Sequence, residues 1–190
     1  MEVYLVRHTK PAIGKDVCYG QTDILVDESV FEQTAKDILT ALPTKTDAIY
    51  SSPLLRCSTL AEYLLQNKYH HAEIKYSPLL KELDFGDWEN QKWNDINQVD
   101  LQKWMDDFVN QSPPGGESFI VLHQRINQFL SLLKTCNYAS VIIITHAGVI
   151  RSVISYIQQT LLNDAFAINC DYGSVTKLKL KFVRNLDNPT

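Results

Sequence analysis

The sequence has neither a long apolar segment nor a basic one. Its 190 residues contain no run of about 18 apolar residues, the length that a membrane-spanning helix needs. Residues 1–11, MEVYLVRHTKP, lack the basic region and the long apolar core of a signal peptide. We therefore expect a cytoplasmic protein that does not contact a membrane. The net charge of −4 and the lack of a Lys/Arg cluster also argue against a nucleic-acid partner.

Cysteines are few, and their spacing predicts neither a metal site nor a disulfide framework. No two of the four cysteines form a C-x-x-C pair, and none has a zinc-like spacing with a histidine. The G-x-x-x-x-G-K-[ST] loop is also missing, which excludes a P-loop nucleotide site. We expect reduced thiols, no metal and no cofactor. The cysteines are Cys18, Cys57, Cys136 and Cys170.

Short apolar runs alternate with helical patterns along the chain, which is typical of an α/β fold. With 45% hydrophobic residues, a chain of this length can bury the core of one domain. The predicted strands cover residues 2–6, 47–50, 73–76, 140–145 and about 175–180, and the last of them is expected near a sheet edge. The predicted helices cover residues 29–42, 117–134 and 148–158, and another follows the second strand.

Two of the predicted helices begin at capping signals. Ser29 and Glu32 have the spacing of a capping box, which predicts that Ser29 caps the first helix. Ser52 followed by Pro53 predicts an N-cap and a first helical position for the second helix.

Residues 82–116 form the only long stretch with weak periodicity. This stretch holds all three tryptophans and an S-P-P-G-G turn, features that are common in substrate-recognition loops. We therefore predict a single domain over residues 1–190, in which residues 82–116 are an insertion that caps the substrate.

Polar and charged residues follow the predicted strands at the points where these end. The carboxyl ends of neighbouring parallel strands meet at one edge of a sheet, where ligands bind in open α/β folds. Each residue alone has an ordinary interpretation as a solvated loop or a hydrogen-bonded core residue, but their joint occurrence favours one site. The residues are Arg7 and His8, Ser52 and Arg56, Glu82 and Asp84, and His146 with Ala147.

This set suits the transfer of a phosphoryl group. Two guanidinium groups supply bidentate donors for a dianion, and helix N-termini after Ser52 and Ala147 add backbone donors. One histidine can act as a neutral nucleophile, and a carboxylic acid can protonate the leaving alcohol. Signatures of other phosphatase classes are missing, since no cysteine begins a C-x₅-R motif and no D-x-D motif is present.

Four segments in order, L-V-R-H, S-S-P-L-L-R-C, E-L-D-F-G-D-W-E and T-H-A-G-V-I-R, resemble the histidine phosphatase superfamily. The resemblance implies the phosphoglycerate mutase-like fold, a three-layer sandwich with a mostly parallel central sheet flanked by helices. It also implies that His8 is the phosphorylated nucleophile and Glu82 the proton donor, with Asp84 as second choice. By the same resemblance, the phosphoryl group is bound by Arg7, Arg56 and His146. Arg151 is open between a structural ion pair and a substrate contact.

The R-H-G-E pattern common in this superfamily is altered here, because Thr9 and Lys10 replace the glycine and the acid. The R-H-T-K-P, C-Y-G-Q-T-D and P-G-G-E-S segments resemble the alpha-ribazole phosphatases instead. Those enzymes remove the phosphate of alpha-ribazole 5′-phosphate late in cobalamin nucleotide-loop assembly. The resemblance implies a substrate-side loop at Gly20, Gln21 and Thr22, for which an ordinary glycine turn is the alternative.

Charge bears on the choice between a phosphatase and a mutase, because a mutase must hold a second anionic group. Residues 81–116 contain three lysines and no arginine, so an uncharged second group is favoured. The aromatic residues there suit a ring, although each also fits the core of a small subdomain; they are Phe85, Trp88, Trp93 and Trp104. A phosphoglycerate mutase or a broad-specificity sugar-phosphate phosphatase stays open, as do a non-catalytic phosphate-binding regulatory module and a homodimer.

Overall fold

A computed structural model describes residues 1–181 of the protein. It has the predicted α/β architecture, with a five-stranded central sheet flanked by helices. The strands are β1 (Glu2–Arg7), β2 (Ala48–Ser51), β3 (Ile74–Tyr76), β4 (Ser140–Thr145) and β5 (Val175–Lys179). The α-helices are α1 (Glu28–Ala41), α2 (Leu55–Asn67), α3 (Gln98–Asp106), α4 (Phe119–Lys134) and α5 (Ala147–Gln158). Among these residues, no helix is long and apolar enough to span a bilayer.

The sheet has the order β3-β2-β4-β1-β5. The first four strands are parallel, and β5 runs antiparallel to β1 at the edge, as predicted. In the pairing of β1 with β4, Arg7 lies opposite Thr145, so the two strands end side by side. The backbone continues the ladder for one more residue, since His8 N–H donates to the Thr145 carbonyl at 3.0 Å.

Strand alternation divides the core into two layers. Val3 and Leu5 of β1 face one cluster, which includes apolar residues of α4 and α5. Tyr4 and Val6 face the other cluster, which is formed with α1 and α2. Because both faces of β1 and β4 are buried, their inner residues, 3–6 and 141–144, are hydrophobic, as is usual in parallel sheets. The result is the predicted three-layer sandwich.

The structure corrects both predicted helix caps. Asp27, not Ser29, caps α1, and its carboxylate accepts from the backbone N–H of Ser29 at 3.1 Å. The second helix begins at Leu55 rather than Pro53, after a Leu54 N-cap whose side chain cannot accept a hydrogen bond. The Asp23 carboxylate, from a distant loop, accepts the Leu55 N–H at 2.6 Å instead.

Residues 82–116 contain α3 and pack against the core. The side chains of Trp88 and Trp104 are only 5% and 9% exposed and belong to the main core cluster. Phe85 is half-buried, with its ring centroid 5.6 Å from that of Trp93 and 5.7 Å from that of Trp104. The interpretation of Trp88 and Trp104 as core residues is therefore confirmed, and their use as a substrate-stacking surface is not supported.

Candidate active site

The two histidines predicted at strand ends lie together. The ring centroids of His8 and His146 are 5.1 Å apart, in an edge-to-face arrangement. His8 follows β1 and His146 follows β4, and the parallel register of these strands makes the two neighbours. Both side chains are buried.

His8 is oriented by the backbone. Its Nδ1 lies 2.7 Å from the Thr9 carbonyl oxygen, which can only accept, so Nδ1 carries the proton and Nε2 keeps its lone pair. Burial, together with the positive charges of Arg56 and Arg7, holds the pKa of His8 well below its usual value. His8 is therefore neutral at pH 7, the state that a nucleophile needs.

His146 contacts the residue that was predicted as a helix cap. Its Nε2 lies 2.8 Å from the Ser52 hydroxyl, and the Cys57 sulfur lies 3.5 Å from the same nitrogen. Burial is the main cause that lowers the pKa of His146, followed by the charge of Arg56. The sequence placed Ser52 at this edge of the sheet as the residue before a helix N-terminus, but its contact with His146 was not predicted.

Arg56 is fully buried and held by a loop. Its Nη1 donates to the Thr22 carbonyl at 2.9 Å and its Nη2 to the Gly20 carbonyl at 2.5 Å. Arg7 is held differently, since its Nη1 donates to the Cys170 carbonyl and its Cζ lies 3.9 Å above the Tyr172 ring.

Each of the two arginines has a buried N–H donor without a hydrogen-bond partner in the part of the chain that the structure describes. Within residues 1–181, the Nε–H groups of Arg7 and Arg56 are buried and have no hydrogen-bond partner. A buried donor without a partner costs about 1–3 kcal/mol, and more when it is charged. Besides burial, both guanidinium charges lower the pKa of His8 and His146, so the two arginines lie close enough to the histidines to attract an anion there.

The loop with Gly20, Gln21 and Thr22 packs against the protein and accepts hydrogen bonds from Arg56. The backbone N–H groups of Gln21 and Thr22 donate to the Glu89 carboxylate at 2.7 and 2.6 Å. A Cβ on Gly20 would lie 2.1 Å from the Leu83 carbonyl oxygen, so this position needs glycine. The loop is thus a built support for Arg56, and the predicted substrate contact of these residues stays a prediction.

The two candidate acids differ in what they touch. The Glu82 carboxylate accepts the backbone N–H of Gly148 at 3.1 Å, in the first turn of α5 and two residues after His146. It also accepts the Leu83 N–H at 2.9 Å. Asp84, by contrast, accepts the N–H of Gly86 at 2.8 Å within its own turn. Glu82 is therefore the acid that contacts the histidine-bearing edge of the sheet.

Arg125, a residue that the sequence did not predict at the site, binds the backbone of the segment that carries Glu82. Its guanidinium donates to the carbonyls of Leu79, Lys81 and Glu82 at 2.7, 2.7 and 2.9 Å. The same group forms an ion pair with Glu117 at 2.5 Å, and both side chains are largely buried. Arg125 comes from the interior of α4, so no local sequence pattern links it to residues 79–82.

Arg151, which the sequence left open between an ion pair and a substrate contact, forms no ion pair with any residue that the structure describes. Its Nε donates to the Ile168 carbonyl at 3.1 Å, and its Cζ lies 4.9 Å over the Phe166 ring. Arg151 therefore connects α5 to the 3₁₀ helix Leu162–Ala167, which precedes β5.

Metal ligands do not cluster in this part of the chain. Among residues 1–181, no group of three or more His, Cys, Asp and Glu side chains is arranged to hold an ion. The cysteines are free thiols. The charges that face the two histidines come from arginines, which suits an anionic ligand.

Comparisons with known proteins agree with this geometry. The family model described as "Histidine phosphatase superfamily (branch 1)" matches residues 3–184. The Escherichia coli adenosylcobalamin/alpha-ribazole phosphatase is 27% identical over 161 residues, which are 82% of this chain and 78% of that protein. A putative phosphoserine phosphatase 2 of Hydrogenobacter thermophilus is 24% identical over 94% of this chain and 89% of its own.

A solved structure has the same fold. The alpha-ribazole phosphatase from Shigella flexneri superposes with a TM-score of 0.85 and 24% identity, over 95% of this chain and 91% of that chain. Together with the family match over nearly all of the sequence, the fold confirms the resemblance drawn from the motifs. The protein belongs to branch 1 of the histidine phosphatase superfamily and is a phosphatase.

Proposed function

We propose that the protein hydrolyses a small-molecule phosphomonoester through a phosphohistidine on His8. The observation that carries this proposal is the pair of buried Nε–H donors, on Arg7 and Arg56, that have no partner among residues 1–181 and lie near a neutral histidine. A phosphoryl group supplies the oxygens that these donors require, and its phosphorus is the electrophile that Nε2 of His8 attacks.

The phosphoryl group is held by four groups in this proposal. Arg7 and Arg56 donate from their Nε–H groups, and His146 donates from its ring once the dianion is bound. The backbone at Ala147, where α5 begins, contributes the positive end of the helix dipole. Such fixed donors stabilise the charge that develops on the equatorial oxygens as the phosphoryl group transfers.

Glu82 acts as the acid and then as the base. In the first step Nε2 of His8 forms a bond to phosphorus, the ester P–O bond breaks, and the leaving oxygen takes the proton of Glu82. In the second step a water molecule attacks phosphorus and gives a proton to the Glu82 carboxylate. The P–N bond then breaks, its electron pair returns to Nε2, and inorganic phosphate leaves. We propose that residues 82–116, which begin with this acid, cover the bound ester.

Alpha-ribazole 5′-phosphate is the substrate that we favour. The Escherichia coli relative is named for alpha-ribazole, and the altered R-H-T-K-P start supports the same subfamily. Two cations outside the phosphate-binding pair are already neutralised, since Arg125 pairs with Glu117 and Lys10 pairs with Asp27, whereas Arg151 has no ion pair among residues 1–181. A phosphoserine or a phosphoglycerate would bring a carboxylate that needs a free cation.

A substrate panel tests this proposal. Phosphate release is measured with alpha-ribazole 5′-phosphate, L-phosphoserine, 3-phosphoglycerate and p-nitrophenyl phosphate, with His8→Ala as the control. We expect the highest kcat/KM for alpha-ribazole 5′-phosphate and no release by the variant. A higher kcat/KM for phosphoserine or a sugar phosphate would overturn the assignment of alpha-ribazole 5′-phosphate as the substrate. Conversion of 3-phosphoglycerate to its isomer would indicate a mutase. No turnover of any ester would indicate a regulatory module.

A further inference from the structure

Two tyrosines meet beside the phosphate-binding arginines. The hydroxyl oxygens of Tyr19 and Tyr172 are 2.6 Å apart, and the two residues are 153 positions apart in the chain. Both side chains are half-buried, whereas His8 and Arg56 beneath them are buried. Burial raises the pKa of Tyr19 above its usual value, so its hydroxyl keeps the proton that a hydrogen bond needs.

The Tyr172 ring stacks on one arginine, and the Tyr19 ring lies within cation–π distance of the other. The Tyr172 ring lies 3.9 Å from Cζ of Arg7, and the Tyr19 ring lies 5.4 Å from Cζ of Arg56. The Tyr172 ring also lies 5.5 Å from the ring of His8. A guanidinium stacked on an aromatic face is held in one plane and loses water from that face, so its remaining N–H groups point in fixed directions.

The backbone next to each tyrosine binds the same arginine. The carbonyl of Gly20, adjacent to Tyr19, accepts from Arg56 at 2.5 Å. The carbonyl of Cys170, two residues before Tyr172, accepts from Arg7. On the other side of Tyr172, the Gly173 N–H donates to the His8 carbonyl at 3.1 Å. The hydroxyl contact thus joins the loop that holds Arg56 to the loop that holds Arg7 and His8.

We propose that Tyr19 and Tyr172 are positioning residues whose mutual hydrogen bond fixes the two arginine loops in the arrangement that binds a phosphoryl dianion. The inference rests on the proposed function of the site. A dianion that bridges both guanidinium groups requires both loops in their binding positions. Because the Tyr19–Tyr172 hydrogen bond is already formed in the free protein, the entropic cost of ordering the loops is not paid when the ligand binds.

Conservative variants test the bond itself. Tyr19→Phe and Tyr172→Phe each remove one hydroxyl and keep the ring. Each is expected to raise the inhibition constant of orthovanadate, a mimic of the transferring phosphoryl group, by about two- to tenfold. Because both variants break one shared bond, the double variant should lose no more than the larger single loss. Additive losses, or no loss in either single variant, would overturn the proposal.

Two further variants separate positioning from general stability. Tyr172→Leu removes the ring under Arg7 as well as the hydroxyl, so its inhibition constant should rise well beyond that of Tyr172→Phe; equal values would overturn the stacking role. The matched control is Tyr69→Phe, which removes a hydroxyl that donates to the Pro43 carbonyl at 2.5 Å in the layer of α1 and α2. It is expected to lower the melting temperature and leave the inhibition constant unchanged.

Measurements on the unaltered protein distinguish a failure of the tyrosine positioning role from a failure of the proposed phosphatase function. If the unaltered protein neither turns over phosphate esters nor binds orthovanadate, the proposed function itself fails. If it does both, and the tyrosine variants bind orthovanadate as tightly as it does, the function stands and the positioning role is refuted.

Discussion

Replacing Glu82 with glutamine tests the proposed proton donor with little change in shape. One oxygen of the carboxylate accepts backbone N–H groups from Leu83 and Gly148 at 2.9 and 3.1 Å, and the Gly148 N–H lies farther, 3.3 Å, from the other oxygen. An amide oxygen can accept both bonds in the same geometry, so the variant should fold. What the amide cannot do is release a proton to a leaving oxygen at neutral pH.

The size of the effect depends on the leaving group. An alkoxide is a poor leaving group unless it is protonated in the transition state, and a general acid usually contributes two to four orders of magnitude. We therefore expect Glu82→Gln to slow hydrolysis of alpha-ribazole 5′-phosphate by about 10²- to 10⁴-fold, or about 3–5 kcal/mol in the activation barrier. The p-nitrophenolate group leaves without help, so its ester should lose much less.

The assay compares kcat/KM for these two esters in the unaltered protein and in two variants. Asp84→Asn is the matched control, because the Asp84 carboxylate accepts the N–H of Gly86 within its own turn. It should slow both esters alike or neither. Equal losses for both esters in Glu82→Gln, or a loss selective for the alkyl ester in Asp84→Asn, would refute the assignment of the acid.

Three further predictions follow from the same contacts. Activity should persist in excess chelator, since no metal-ligand cluster exists among residues 1–181; recovery that requires added Mg²⁺ or Zn²⁺ would contradict this. Burial lowers the pKa of His8 and His146 in the folded state, so the unfolded chain takes up their protons first as the pH falls below about 6.5. The free energy of unfolding, measured in urea, should fall there by up to about 1.4 kcal/mol per pH unit for each histidine, and a flat profile from pH 7.5 to 5.5 would argue against buried neutral rings. Arg125→Gln should reproduce the leaving-group selectivity of Glu82→Gln at smaller size, with partial recovery in Arg125→Lys; a loss equal for both esters would mean that Arg125 does not act through Glu82.

The strands and the convergence at their ends could be predicted from sequence because their signals are local and strong. The predicted strand 140–145 has an uninterrupted apolar run at residues 141–144, and the structure confirms it as β4 with the predicted bounds. Since parallel strands end at one edge of a sheet, the sequence predicted that His8 and His146 share that edge, and the pairing of β1 with β4 in the structure makes them neighbours. The catalytic roles of these residues remain predictions that the experiments above address.

The site contacts and buried residues that the sequence did not predict depend on tertiary contacts between segments far apart in the chain. Ser52 has the sequence pattern of an N-cap. In the structure its hydroxyl forms a hydrogen bond with His146, which is 94 residues away in the chain and follows β4. Arg125 and Tyr172 reach the site from α4 and from the loop before β5, where neither has a neighbouring motif. Trp88 and Trp93 lie outside the α-helices, so the spacing of apolar residues did not predict the burial of Trp88, and Trp104 lies in α3, a helix that the sequence did not predict.

The most direct test of the central claim is the detection of a phosphorylated His8. The protein is mixed briefly with a phosphate ester labelled in its phosphoryl group, quenched, and digested for peptide mapping. We expect an acid-labile, base-stable label on the peptide that contains His8, and no label in His8→Ala. A label that persists in His8→Ala, or one that is acid-stable, would contradict the account, because the phosphoryl group would then pass through a different residue.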